Sequence, residues 1–419
     1  MSAFVINGGR RISGSLRVQG SKNSVLPILA ATFLVGGKSV IHNCPLLSDT
    51  ESTMKILRSL GCKVQRSGNT VTVDSTDADG FEIPENLMRE MRSSVIFLGA
   101  IIGRMKKAVI STPGGCEIGL RPIDLHLYAV SRLGVRVDEE HGKLDCSVPN
   151  ALKGNKITFS FPSVGATENA VLAAVTATGT TVIVNAAREP EIIDLCDFLN
   201  KCGAEISGAG DSVITVVGKN KLTPCEHSVI CDRIACATYL VAGAVTGGDV
   251  SLENTNPNHL NAVLPLLEEA GCDINVRCRT IRLKAPRRLS RIDKIVTQPY
   301  PGFPTDAQAP FTTLACVAEG TGVIVENIFE SRLKHIPELV RMGAKIRTEG
   351  RVAVIEGVER LYGAEVLSPD LRGGAALVLA GLCACGTTIV KNIKYIDRGY
   401  EDLEENLCSL NADVKRKVL

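Results

Sequence analysis

The chain of 419 residues is too long for one ordinary hydrophobic core, so its length predicts two or three domains. Lys and Arg number 47 and Asp and Glu 45, and this near balance argues against a surface that binds nucleic acid or an anionic membrane. No signal peptide is evident, and no apolar run reaches the roughly 20 residues that a membrane span needs. We therefore expect a cytoplasmic protein whose cysteines are mostly reduced core residues.

A short sequence pattern recurs at intervals of about 70 residues, which predicts six structural repeats. An apolar residue or Cys is followed by Gly, a small residue, a polar residue and Val or Ile; the glycines are Gly61, Gly134, Gly203, Gly271 and Gly343, and Asn411 replaces the sixth. Each copy follows an amphipathic segment, such as residues 49–60 or 335–342. Because Gly, and after it Asn, adopts a positive φ most readily, we expect each copy to end a helix directly before a strand.

Every repeat also contains a second helical segment that is apolar on nearly all sides. These segments are residues 24–35, 94–102, 170–178, 235–245, 310–317 and 375–384. A helix without a polar face is buried. In most repeats a β-rich segment follows, at residues 39–42, 181–184, 249–252, 322–325 and 387–390. The pattern predicts an α/β protein in which each repeat has strands, one buried helix and one half-exposed helix, and six repeats grouped three and three would form two similar domains.

Polar and charged residues lie at the starts of these apolar helices. They are Lys22, Asn23, Arg92, Ser163, Asp306, Asp370 and Arg372. Helix capping explains the Ser, Asn and Asp residues. It does not explain the three cations, because a positive charge is unfavourable at the positive end of the helix dipole. A bound phosphate or carboxylate would remove that conflict, so the pattern favours an anion-binding site over capping alone.

Residues 113–119, PGGCEIG, form a glycine-rich segment that contains Cys116. Loop glycines most often only make turns, so the segment alone is weak support for a functional loop. Cys116 differs from the other cysteines because it lies in a polar segment, and Arg121 follows it closely. A thiol can donate a proton near neutral pH, and a nearby guanidinium favours the reactive thiolate. We therefore regard Cys116 as a candidate catalytic residue.

Four residues have the types found at zinc sites, namely Cys225, His227, Cys231 and Cys236. Their spacing is irregular, and no second pair of the C-x-x-C type supports a metal centre. We interpret them as packing and linker residues, and we expect neither a metal nor a cofactor. Cys383 and Cys385 lie in an apolar run at residues 377–385, which predicts that both are core residues.

Seven segments are specific enough to compare with a known family. They are residues 20–23 (GSKN), 113–126 (PGGCEIGLRPIDLH), 163–167 (SVGAT), 185–190 (NAAREP), 303–308 (FPTDAQ), 370–372 (DLR) and 396–401 (IDRGYE). Together they resemble the UDP-N-acetylglucosamine 1-carboxyvinyltransferase family over nearly the whole chain. The resemblance implies two inside-out α/β barrel-like domains, each of three βαβαββ units with buried helices. It places the first domain, with the Cys116 loop, at residues 22–230 and the second at residues 1–21 and 231–419.

The resemblance also assigns roles to residues at matching positions. The implied anion-binding groups for phosphoenolpyruvate are Lys22, Arg121 and Arg398, with Arg92 nearby and Arg372 as a further candidate. The implied nucleotide-sugar contacts are Asn23, Ser163, Val164, Gly165, Asp306 and Ile328, and Pro122, Asp124 and Leu125 complete the substrate-binding set. In the implied catalytic set, Cys116 donates a proton to C3 of the enol, Asp306 is the base for the sugar hydroxyl, and Asp370 assists proton transfer, beside Lys22 and Arg398.

The implied activity is transfer of the enolpyruvyl group of phosphoenolpyruvate to the 3′-hydroxyl of UDP-N-acetylglucosamine with release of phosphate. This is the first committed step of peptidoglycan precursor synthesis. The implied partners are these two small molecules, with no nucleic acid, membrane or obligate protein partner. Two alternatives stay open. The related 3-phosphoshikimate enolpyruvyl transferase shares the fold but lacks a PGGC loop of this kind, and a non-catalytic repeat scaffold would need neither buried cations nor a reactive thiol.

Overall fold

The computed structural model describes residues 2–111 and 123–418. Within these residues the chain divides into two compact units. The first unit comprises residues 20–111 and 123–230, and the second comprises residues 2–19 and 231–418. Each unit has its own hydrophobic cluster, built mainly from Ala, Val, Ile and Leu.

Three buried helices form the centre of the first unit. These inner helices are Lys22–Val35, Phe97–Met105 and Val164–Ala174, and they pack against one another. A 3₁₀ turn, Arg92–Ile96, leads into the second of them. The outer helices of the unit are Ser48–Ser59, Glu85–Glu90, Asp124–Arg132 and Pro190–Lys201.

Three sheets pack on the inner helices of the first unit. In spatial order their strands are Glu226–Ser228, Lys38–His42, Thr70–Asp74 and Lys63–Ser67; Lys107–Ser111, Lys143–Ser147 and Arg136–Glu140; and Glu205–Ser207, Val213–Val217, Thr180–Val184 and Lys156–Thr158. Each strand that follows an inner helix pairs antiparallel with a hairpin strand.

The second unit repeats this arrangement. Its inner helices are Arg233–Val245, Thr305–Val317 and Leu371–Cys383, which also pack against one another. Its outer helices are Leu264–Glu269, Ile336–Arg341 and Leu403–Ser409, and 3₁₀ turns lie at Pro257–Leu260 and Ile393–Arg398.

The N-terminal strand completes a sheet of the second unit. The strand orders are Asp273–Arg277, Thr280–Lys284, Asp249–Glu253 and Ser13–Arg17; Lys294–Val296, Thr321–Val325, Val352–Glu356 and Lys345–Glu349; and Glu365–Leu367, Thr387–Lys391, Ser2–Asn7 and Asp413–Val418. In the last sheet Ser2–Asn7 pairs antiparallel with both neighbours. The first strand therefore fills the position that a hairpin strand holds in the other repeats.

The predicted α/β class, with buried helices in six repeats, is confirmed by this architecture. Each sheet in the described residues is open, with two edge strands. The recurrent turn has the positive φ that its glycines and Asn411 predict. Its five glycines have φ between +91° and +96°, and Asn411 has φ +67°.

Two expectations were wrong in detail. Most inner helices begin earlier than the apolar runs, so Lys22 is the first residue of its helix and Arg372 the second. The third starts at Val164, before the apolar run, and contains the buried polar residues Thr167, Glu168 and Asn169; it ends at Ala174. Cys385 is exposed rather than in the core, since the inner helix ends at Cys383 and the chain turns there into the next strand.

Candidate active site

In the first unit, Lys22 opens the first inner helix beside a buried carboxylate. Its Nζ lies 2.9 Å from Oδ2 of Asp49, in the first turn of the outer helix Ser48–Ser59. Asp49 is 3% exposed and the Lys22 side chain 12% exposed. The lysine charge at this helix start is thus partly balanced within the protein. Asn23 follows it and is half-buried.

The second repeat supplies candidates at two places. Arg92 is the first residue of the 3₁₀ turn and is half-buried. Asp124 begins the outer helix Asp124–Arg132 and is exposed, while Leu125 is half-buried. The candidates Cys116, Arg121 and Pro122 lie outside the described residues.

The third repeat places Ser163, Val164 and Gly165 at the start of an inner helix. Ser163 is the N-cap, and its Oγ accepts from the backbone N–H of Ala166 at 3.4 Å, so capping accounts for this residue. A Cβ at Gly165 would lie 2.8 Å from Cε1 of His126. The close approach to this ring explains why glycine follows Val164.

In the second unit, Asp306 contacts two buried guanidinium groups. Arg332 donates from Nη2 to Oδ1 at 2.6 Å, and Arg372 donates from Nη2 to Oδ2 at 3.3 Å. The side chains of Arg332 and Arg372 are 4% and 2% exposed, whereas that of Asp306 is 28% exposed. Pro304, not Asp306, is the N-cap of the helix, so capping does not explain this carboxylate.

Asp370 and Arg372 lie together at the start of the last inner helix. Oδ1 of Asp370 accepts from the backbone N–H groups of Arg372 and Gly373 at 3.0 Å each, which makes Asp370 the N-cap. The guanidinium of Arg372 lies 5.2 Å from the ring centroid of Tyr400. Within the described residues, Oδ2 of Asp370 and Nε and Nη1 of Arg372 are buried without hydrogen-bond partners. Such groups are costly unless a ligand or water satisfies them.

A buried carboxylate organises the segment that contains Ile328. Glu326 is 1% exposed, and its Oε1 accepts from the backbone N–H groups of Ile328 at 2.8 Å and Phe329 at 3.0 Å. Its Oε2 accepts from Oγ1 of Thr305 at 2.9 Å. One carboxylate therefore fixes both the Ile328 segment and the helix turn that carries Asp306.

Arg398 is the last residue of the 3₁₀ turn Ile393–Arg398 and is half-buried. The residue before it, Asp397, accepts from Nη1 and Nη2 of Arg416 at 3.0 and 2.8 Å. Arg416 lies on the C-terminal strand. A bidentate pair of this kind fixes orientation as well as distance, so the turn that ends at Arg398 is tied to the sheet.

Sequence reasoning did not single out Arg332, Glu326 or His335. Burial lowers the pKa of His335 to about 4; the Arg332 guanidinium acts in the same direction, while the Asp370 carboxylate opposes the shift. Arg332 lies 26 residues from Asp306 in the chain, and no local pattern relates the two. The signal that could have found Arg332 is its cationic side chain in the turn before an outer helix.

The residues of the types found at zinc sites have other contacts. Nε2 of His227 lies 2.9 Å from Oδ1 of Asp194, and the Sγ atoms of Cys225 and Cys202 lie 3.3 Å apart. Among residues 2–111 and 123–418, no group of three or more Cys, His, Asp and Glu side chains is arranged to hold a metal. In the same ranges, no helix combines the length and the apolar character required to cross a bilayer.

Comparison with known proteins relates this geometry to a family. A family model described as EPSP synthase (3-phosphoshikimate 1-carboxyvinyltransferase) matches residues 6–407. The chain belongs to this 1-carboxyvinyltransferase family. It is 52% identical over 416 residues to UDP-N-acetylglucosamine 1-carboxyvinyltransferase 2 of Caldanaerobacter subterraneus subsp. tengcongensis, covering 99% of this chain and 100% of the relative. It is 46% identical to UDP-N-acetylglucosamine 1-carboxyvinyltransferase of Geobacter metallireducens, covering 99% of each.

Solved structures of carboxyvinyl transferases share the fold. The enolpyruvyl transferase NikO from Streptomyces tendae superposes with a TM-score of 0.89 at 26% identity, covering 99% of this chain and 98% of NikO. EPSP synthase from Acinetobacter baumannii gives a TM-score of 0.77 at 19% identity over 100% of both chains, which shows the common fold alone.

Proposed function

We propose that the chain transfers the enolpyruvyl group of phosphoenolpyruvate to the 3′-hydroxyl of UDP-N-acetylglucosamine and releases phosphate, as the first committed step of peptidoglycan precursor synthesis in the cytoplasm. The observation that carries the proposal is the 52% identity over 99% of the chain to a relative named for this transfer. The Asp306 carboxylate, held by Arg332 and Arg372, supplies a base and cations suited to an acceptor hydroxyl and anionic substrates.

Each proton transfer in the proposed reaction is assigned to one of the candidate residues. Cys116 protonates C3 of phosphoenolpyruvate, and C2 becomes an oxocarbenium-like electrophile. Asp306 accepts the proton of the sugar 3′-hydroxyl as its oxygen bonds to C2. The C2–O bond to phosphate then breaks, phosphate leaves, and a base of the site takes a proton from C3. The C2–C3 double bond re-forms, and the product is an enol ether. Asp370 assists proton transfer, and acid and base groups of this kind suffice for such an addition and elimination.

The anion-binding roles are assigned to five cations. Lys22, Arg92, Arg121, Arg372 and Arg398 offset the charge of the phosphate and carboxylate groups. Cations that are already held by carboxylates, as Lys22 is by Asp49, need little reorganisation when an anion binds. The nucleotide-sugar contacts are assigned to Asn23, Pro122, Asp124, Leu125, Ser163, Val164, Gly165, Asp306 and Ile328.

A second candidate acceptor is shikimate 3-phosphate, because the matching family model bears that name. The solved EPSP synthase is only 19% identical, and the relatives at 46–52% identity are named for UDP-N-acetylglucosamine, which favours the sugar nucleotide. The scaffold alternative is disfavoured because these full-length relatives are named as transferases.

Product analysis tests the proposal directly. The protein is incubated with phosphoenolpyruvate and UDP-N-acetylglucosamine, and the nucleotide fraction is examined by mass spectrometry. We expect a nucleotide heavier by one carboxyvinyl group, formed only when both substrates are present. Recovery of unmodified UDP-N-acetylglucosamine under conditions where the protein is folded would contradict the proposal.

A further inference from the structure

Gln19 has a buried side-chain amide that makes hydrogen bonds to the backbone next to Arg398. It is 8% exposed. Its Nε2 donates to the carbonyl oxygen of Gly399 at 3.2 Å, and its Oε1 accepts from the backbone N–H of Glu401 at 2.8 Å. The two bonds lie on either side of Tyr400, so the segment directly after Arg398 is held from both ends by one side chain.

An amide group is suited to this task because it offers a donor and an acceptor at the same time. A carboxylate can only accept, and a Met side chain of similar length can do neither. Since buried backbone groups need partners, losing Gln19 would leave the carbonyl of Gly399 and the N–H of Glu401 without this partner.

Other contacts hold the same segment on further sides. The hydroxyl of Tyr400 lies 2.9 Å from Oγ1 of Thr238, and the guanidinium of Arg372 lies over the Tyr400 ring. A Cβ at Gly399 would lie 2.7 Å from Cδ2 of Leu371, at the start of the last inner helix. The segment is therefore confined between helices, and Gln19 supplies two further polar contacts to its backbone.

Gln19 also lies where the chain leaves the second unit. It is the last residue of that unit before the first unit begins, and the unit resumes at Cys231. The backbone N–H of Asp232 donates to the carbonyl oxygen of Gln19 at 2.9 Å. Gln19 therefore links three segments: its own, where the chain leaves the second unit; the segment at Asp232, where the chain returns to it; and the segment that follows Arg398.

We propose that Gln19 is a positioning residue for Arg398: it fixes the backbone at residues 399–401 so that the Arg398 guanidinium is held in place for the phosphate or carboxylate group of phosphoenolpyruvate. The inference rests on the proposed function, which gives Arg398 its anionic ligand. Gln19 acts through the backbone and does not touch the substrate. A small displacement of a group that binds the reacting substrate is enough to lower turnover strongly.

The test compares Gln19→Met with a matched control. Met has a similar length but makes neither hydrogen bond. The control is Thr313→Val, which removes another buried bond of the same unit, from Oγ1 of Thr313 to the carbonyl oxygen of Ala376 at 2.9 Å. We expect the KM for phosphoenolpyruvate to rise roughly 10-fold or more in Gln19→Met, with the KM for UDP-N-acetylglucosamine near the wild-type value. Thr313→Val should keep both KM values while its melting temperature falls comparably.

Hydrogen exchange supplies a second readout. The amide of Glu401 should exchange faster in Gln19→Met than in Thr313→Val, because its acceptor is lost. If Gln19→Met does not fold, Gln19→Glu takes its place, since it keeps the acceptor for Glu401 and loses the donor to Gly399. An unchanged KM for phosphoenolpyruvate in the folded variant would overturn the inference.

The outcomes separate this inference from the proposed function. If Arg398→Gln raises the KM for phosphoenolpyruvate and the Gln19 variant does not, only the role of Gln19 fails. If the wild-type protein forms no enolpyruvyl product at all, the proposed function fails instead.

Discussion

At the residue scale, Asp306 combines partial exposure with two buried cationic partners. A carboxylate oxygen accepts more than one hydrogen bond, so the contacts to Arg332 and Arg372 leave room for a substrate hydroxyl. The same contacts keep the carboxylate oriented, as a base for the sugar hydroxyl requires.

Asp306→Asn should lower turnover by a factor on the order of 10² or more, because the amide keeps the shape but cannot accept the proton. Binding of UDP-N-acetylglucosamine should change little. The control is Asp249→Asn, which changes another carboxylate that accepts two guanidinium hydrogen bonds, here both from Arg282, at 2.9 and 2.8 Å. Turnover, binding and melting temperature are measured on both. Normal turnover in Asp306→Asn would move the base to another residue, with Asp370 the next candidate.

The pKa of His335, lowered to about 4 by burial, predicts a pH dependence of stability. In the unfolded chain His has a pKa of about 6.5, so between pH 6.5 and 4 the unfolded state takes up a proton that the folded state does not. The free energy of unfolding therefore keeps its full value above pH 6.5 and decreases as the pH falls from 6.5 towards 4. His335→Gln should flatten this part of the curve of unfolding free energy against pH. Parallel curves for both proteins would contradict the prediction.

The sequence identified some of these residues and could not identify others. Asp306, Asp370 and Arg372 stand out because charged groups beside an apolar helix are unusual. Arg332, Glu326 and Gln19 act on segments far away in the chain, and such partners depend on how the repeats pack. Cys116, Arg121 and Pro122 stay predictions, as do the roles assigned to the other site residues.

At the scale of elements, the turn between outer helix and strand was predictable because it depends on a local backbone requirement. Gly203 has φ +93°, and a Cβ there would meet nothing within 4 Å. The reason for glycine at this position is therefore backbone conformation rather than space. The starts of the inner helices were harder to place, since Lys22 and Arg372 are charged residues inside the helices and interrupt the apolar pattern.

Gly203→Ala should destabilise the protein by roughly 1–2 kcal/mol, the cost of the left-handed conformation for a residue with a Cβ. Gly203→Asn should cost less, because Asn tolerates this conformation and Asn411 adopts φ +67° at the equivalent turn. Urea unfolding of both variants measures the difference. Equal losses for Ala and Asn would argue against a backbone origin.

At the scale of the whole molecule, the six repeats were readable from the sequence because each needs the same turn and the same buried helix. The return of the N-terminal strand to the C-terminal sheet depends on pairing over nearly the full chain length, and it was expected only from the family resemblance. The domain boundaries expected at residues 22–230 stay a prediction. The family membership sets the reaction type, and the choice of acceptor is the central claim.

Phosphate release from phosphoenolpyruvate tests that claim most directly. The wild-type protein is assayed with UDP-N-acetylglucosamine and, in parallel, with shikimate 3-phosphate as the acceptor. We predict release of phosphate with UDP-N-acetylglucosamine at a rate that depends on both substrates, and none above background with shikimate 3-phosphate. Release with shikimate 3-phosphate alone, or with neither acceptor, would contradict the account.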